Sequence, residues 1–247
     1  VYNMVMSGIN GVMSVFSTGV SAGFGELLVK GDKVVFKKAY RDFEYIYYFM
    51  VSVIYSITLV TILPFIEVYT KGVNEKFKEF AVMFIAINIR LSSNGILYNL
   101  KTPQGMLVIA AGLYRETRIQ STIQAAILVV GGIIFGAKNG LTGIMFASCL
   151  SNLYRCIDLY FFIPKMVTQM ERKATMKNII ITISMIIVSY FTAPQIIKFY
   201  PVSLITWVVY AACVSIYCLA LISVFHIIFE RENFKKILVR IRNMKGK

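Results

Sequence analysis

A chain of 247 residues that is 57% apolar and only 15% charged, with a mean hydropathy of +0.70, has too little polar surface to close over a soluble core. Its net charge of +14 could signal a nucleic-acid binder, but the basic residues fall in the gaps between apolar runs. That placement argues against nucleic acid and matches the positive-inside pattern of a multi-pass membrane protein.

No run alternates polar and apolar residues as membrane barrel strands do, so the expected fold class is all-α, a polytopic helix bundle of about seven transmembrane helices. The spans are read at 2–24, 43–66, 80–113 (with a kink or break near Pro103), 118–136, 141–163, 178–198 and 202–229. Loop charge orients them. The segments 25–42, 115–118, 164–177 and the tail after 230 hold 18 Lys and Arg, against 5 on the other side (Lys71, Lys76, Lys78, Lys138 and Lys198). The first set is therefore cytoplasmic, and so is the C-terminus.

Span one has no charge. Its small residues Ser7, Gly11, Ser14 and Thr18 repeat at helical spacing, which reads as close helix packing. The sequence begins at Val1 inside a helical run with no charged region or cleavage site before it, so no signal peptide is expected. An outside start with an odd number of spans points to a fragment whose front part is missing.

Span three carries the sharpest constellation. Arg90 lies in an apolar segment without a carboxylate, where a guanidinium costs roughly 2.5–3.5 kcal/mol to insert. Arg90, Asn94, Leu97 and Lys101 share one helical face, with Tyr98 beside it. Two cations and an amide there can line a cavity for an anion, Arg gripping phosphate in two places and Lys as a point charge. Pro103 removes a helical hydrogen bond and is the expected hinge. The alternative is a shorter span, 80–100, with Lys101 snorkelling at the interface.

Span five adds Ser148, Asn152 and Arg155 on one face, with Asp158 three residues after Arg155. A self-neutralised pair near the cytoplasmic interface is the favoured reading, and a vestibule guiding an anionic headgroup is the alternative. Cys149, Cys156, Cys213 and Cys218 read as small apolar residues, and the lone His226 as helix packing. No catalytic residue, metal site or cofactor is expected. Walker, dinucleotide and HExxH motifs are absent, and the 12 carboxylates lie mostly in loops. The tail FERENFKKILVRIRNMKGK reads as a basic interfacial helix, and the basic loops as contacts for anionic membrane lipids.

Four stretches resemble one family. SAGFGELLVKGDKVVFKKAYRDFEYIYYF (21–49), LPFIEVYTKGV (63–73), PQGMLVIAAGLYRETRIQSTIQA (103–125) and NGLTGIMFASCLSNLYR (139–155) are similar to the bacterial polysaccharide repeat-unit (Wzx-like) flippases. These belong to the multidrug/oligosaccharidyl-lipid/polysaccharide exporter superfamily. The likeness covers about 1–165, and the last two helices only by hydropathy. It implies two six-helix lobes around a central cavity, sometimes with two extra C-terminal helices. Residues 1–165 would then be most of the second, C-terminal lobe, 166–229 two additional transmembrane helices, and 230–247 a basic cytoplasmic tail.

The resemblance also implies a flippase of the bacterial plasma membrane serving capsule, exopolysaccharide or O-antigen assembly. It would move a lipid-linked oligosaccharide of the undecaprenyl-pyrophosphate type by alternating access, with the polysaccharide polymerase machinery as a partner. Alternating access needs two lobes, so this chain alone is expected not to transport. The rival readings are a lipid II flippase, a cation-coupled multidrug exporter of the same superfamily, and a truncated membrane protein that does not transport.

Overall fold

Glycine placement decides where several helices stop. A computed structural model of the chain describes residues 2–70 and 81–231, with side chains at 4–69 and 92–231. Helix α1 (Tyr2–Lys30) ends at Gly31, whose φ of 73° suits a residue without a Cβ. Asp32 follows and accepts a hydrogen bond from the Val35 amide at 3.0 Å, which caps α2 (Lys33–Thr70). Helix α3 (Ala81–Ala110) closes the same way at Gly112, φ 66°.

Helix α4 (Arg118–Ile163) doubles back on itself at Gly140, whose φ of 57° and ψ of −138° are non-helical. Its arms, 118–139 and 141–163, pack closely: the Phe135 and Phe146 rings meet edge to face at 5.2 Å, and the Ser151 hydroxyl donates to the Gln124 carbonyl at 2.9 Å. A π-turn, Pro164–Thr168, leads to α5 (Arg172–Ile196). Helix α6 (Leu204–Phe229) begins with a reciprocal Ser203–Thr206 capping box.

Among the described residues the chain is helical and contains no strand. Five stretches are long and apolar enough to cross a membrane: Met4–Lys30, Lys33–Tyr69, Arg118–Thr168, Arg172–Ile196 and Leu204–Phe229. This is compatible with a membrane helix bundle. The break expected at Pro103 does not occur. Helix α3 runs through it, and the Thr102 hydroxyl bonds the Tyr98 carbonyl at 2.9 Å one turn back. A single proline removes one backbone bond, which the rest of a long helix can absorb.

The chain packs as two units. The first takes in Val1–Lys37 and Thr70–Met176, with α3 packed against both α1 and α4. Met13, Leu107, Ala147 and Leu159 are buried in it, and Asn99 on α3 donates to Asn10 on α1 at 3.1 Å.

The second unit takes in Lys38–Tyr69 of α2 together with α5 from Lys177 onward and α6. Helix α6 buries Tyr210, Val214, Cys218, Ile222 and His226, a stripe at four-residue spacing. Val60, Ala193, Tyr210, Val214 and Cys218 form one cluster, and Val53, Met185 and Ile222 another. Its polar links include the Trp207 indole on the Thr61 carbonyl (3.1 Å), the Tyr45 hydroxyl with Nδ1 of His226 (2.7 Å), and a Lys177–Glu230 ion pair. These units do not follow chain order. Most of α2 belongs with α6 and most of α5.

Candidate functional site

In an apolar helix pair, polar side chains that cannot reach water must find one another. Helix α3 and the second arm of α4 show this. Lys101 Nζ donates to Asn152 Oδ1 at 2.6 Å, and Asn152 Nδ2 donates to Asn94 Oδ1 at 2.6 Å. Ser148 Oγ also donates to Asn94 Oδ1, at 3.0 Å. The result is a continuous chain from Ser148 through Asn94 and Asn152 to the Lys101 ammonium. That ammonium also lies 5.0 Å from the centre of the Tyr98 ring, a cation–π contact.

One turn beyond Asn152, Arg155 Nη1 donates to Asp158 Oδ2 at 2.7 Å, with both side chains largely buried. Both cations also line a cavity of about 490 Å³ inside the first unit. Helix α3 lines it with Tyr98, Lys101 and Thr102, and α4 with Gln124 and Arg155. Helix α1 supplies Ser14, Ser17, Thr18 and Ser21. The two cations supply the field on an anion, while the Ser14 and Ser17 hydroxyls donate to the Gly11 and Ser14 carbonyls of their own helix, at 2.8 and 3.0 Å. Asp158 is not among the lining residues: it holds the guanidinium from behind.

The structure thus joins Asn94, Tyr98, Lys101 and Asn152, which the sequence placed on two separate spans. The reading of Lys101 as a snorkelling surface residue gives way to an amide-bonded, half-buried ammonium. Arg155 combines its two alternatives, being paired with Asp158 and also facing a cavity. Arg90 falls in α3 at a position whose side chain is outside the described residues, as are the loop 71–80 and the tail beyond 231. Pro103 lies two residues from Lys101 in continuous helix.

Several small residues of α1 have open space beside them. A Cβ built on Gly8, Gly11, Gly19 or Gly23 would meet nothing within 4 Å, while Ser14 and Thr18 face the cavity. The sequence did hold a signal for this wall. Ser14, Thr18 and Ser21 follow one another at spacings of four and three in a charge-free helix, with Ser17 beside them. Gln124 gave no comparable signal. Among the described residues, no three His, Cys, Asp or Glu side chains converge as metal ligands would.

Comparisons of this chain with protein-family models, with curated proteins and with solved structures return no match.

Proposed function

We propose that this chain is part of a membrane flippase that moves a lipid-linked oligosaccharide pyrophosphate across a bacterial plasma membrane. The observation that carries the reading is the cavity of about 490 Å³ lined by Lys101, Arg155 and the hydroxyls of α1. Two cations in an apolar setting favour an anion, and a pyrophosphate offers several oxygens for a guanidinium, an ammonium and hydroxyls together. Amide contacts hold the ammonium in place before any ligand arrives, which reduces the ordering that binding demands.

In this reading the chain has seven spans, with the two arms of α4 counted separately, and a cytoplasmic C-terminus. Residues 1–165 form most of one lobe, 166–229 two additional helices and 230–247 a basic tail. By helical spacing in the sequence, Arg90 shares a face with Asn94 and Lys101. The repeat unit serves capsule, exopolysaccharide or O-antigen assembly by alternating access, with membrane lipids and the polymerase machinery as partners.

The test is binding to the chain in lipid nanodiscs by native mass spectrometry. An undecaprenyl-pyrophosphate oligosaccharide is compared with the same oligosaccharide on an uncharged lipid. The pyrophosphate form should bind preferentially. Lys101→Gln and Arg155→Gln should each weaken it about tenfold, the loss of one charge-assisted contact. Equal binding of both lipids, or no effect of either substitution, removes the anion reading of the cavity.

A further inference from the structure

The walls of the cavity carry an unequal charge count that bears on how an anion enters. Lys101 and Arg155 bring two positive charges, and Asp158, behind Arg155, brings one negative charge. Helix α1 contributes hydroxyls only, and the first arm of α4 contributes the neutral Gln124. Tyr98 and Cys156 are the nearby neutral titratable groups on α3 and α4; the Cys156 thiol is bonded to the Leu97 carbonyl at 3.1 Å. Asp158 is ion-paired with Arg155 at 2.7 Å. Among the described residues, the cavity lining together with Asp158 therefore carries a single net positive charge, in surroundings that disfavour any uncompensated charge.

A ligand with one negative charge neutralises this site as it stands. A ligand with two leaves one negative charge in excess, and places a second anion on a guanidinium whose Nη1 already donates to Asp158. Burial and a nearby like charge both favour the neutral form of a carboxylic acid. We propose that the cavity binds a doubly charged anion together with one proton, and that Asp158 is the group that takes it. The proton comes from bulk water and adds to an Asp158 carboxylate oxygen. Arg155 keeps all its own protons and turns its donors from Asp158 to the ligand. Asp158 is thus a positioning residue while Arg155 is unliganded and a proton acceptor once the anion arrives. This inference rests on the anion reading of the cavity and adds to it a coupling of anion and proton.

The geometry favours this exchange at Arg155 over a similar one at Lys101. Lys101 is held by an uncharged amide, so an anion reaching it displaces no carboxylate. Arg155 is held by a carboxylate that does not itself face the cavity. The pair is three residues apart on one helix, so it needs no movement of a helix to part.

The experiment is titration calorimetry of the full chain in detergent micelles, repeated in buffers of different ionisation enthalpy to count protons. Two probes whose own charge is fixed between about pH 5 and pH 8 are used, a P1,P2-dialkyl pyrophosphate (dianion) and a dialkyl phosphate (monoanion). The dianion should bind with uptake of about one proton and the monoanion with none, so dianion affinity should rise as pH falls. Asp158→Asn keeps an acceptor for Arg155 while removing the charge. It should take up no proton and bind the dianion about tenfold more tightly.

Dianion binding without proton uptake overturns the inference and leaves the anion cavity standing. The same follows if uptake accompanies both probes, or persists in the Asp158→Asn variant. If neither probe binds, the cavity reading fails and the coupling fails with it. The comparison of dianion with monoanion needs only the unaltered chain, so it stands whether or not the variant folds.

Discussion

Asn152 is the residue on which the polar seam between α3 and α4 turns. Its oxygen receives the Lys101 ammonium and its nitrogen reaches Asn94, each at 2.6 Å. An asparagine does what neither a carboxylate nor an apolar residue could. It satisfies the ammonium without cancelling its charge, and its other end reaches a second acceptor. Asn152→Leu conserves approximate size and removes both bonds. The expected loss is about 1–3 kcal/mol, because the ammonium keeps only the Tyr98 ring and loses a short hydrogen bond. The check is a lowered midpoint of thermal unfolding in micelles; an unchanged midpoint would show that the seam contributes nothing. The sequence placed Asn94 and Lys101 on one face, and Asn152 and Arg155 on another, because helical periodicity is local. It could not show that these faces meet, since nothing in either span names its partner.

Among the elements, the fold-back of α4 is the most tightly determined. At Gly143 a Cβ would clash with the Phe135 carbonyl, and at Gly136 it would sit 2.9 Å from Ile144. The first clash is with backbone, which cannot rotate away. Gly143→Ala should therefore destabilise by about 3 kcal/mol or more, at the upper end of overpacking effects. Gly132→Ala, where no atom lies within 4 Å, should change stability by less than about 0.5 kcal/mol. Thermal unfolding of the two variants side by side checks the contrast; equal midpoints would mean that the arms do not approach this closely.

The turn at Asn139-Gly140 was legible, because Gly140 separates two apolar runs. The close approach at Gly143 was not, since it depends on which face of each arm turns inward. Helix α3 gave the opposite lesson. Proline is a strong local signal for a break, but helix α3 continues through Pro103.

For the whole molecule, the strongest reading from sequence alone is orientation. With 18 basic residues in one set of loops and 5 in the other, fusions should report a cytoplasmic C-terminus and an outside turn at 138–140. Green fluorescent protein fused after Lys247 should fluoresce in a bacterial host, and alkaline phosphatase inserted at the turn should be active. The reverse result at both points would invert the topology. The sequence by itself determined the all-helical apolar character, the turn at Gly140 and the shared helical face of Asn94 and Lys101. All of these follow from composition and from periodicities a few residues long. Only the tertiary structure decided that 38–69 of α2 packs with α5 and α6, that the hydroxyls of α1 face a cavity instead of another helix, and that Lys101 and Arg155 line that same cavity. In an apolar bundle almost every face is apolar enough to pack, so hydrophobicity does not choose partners. Shape, small residues and a few buried hydrogen bonds choose them, and those become visible only when the helices are side by side.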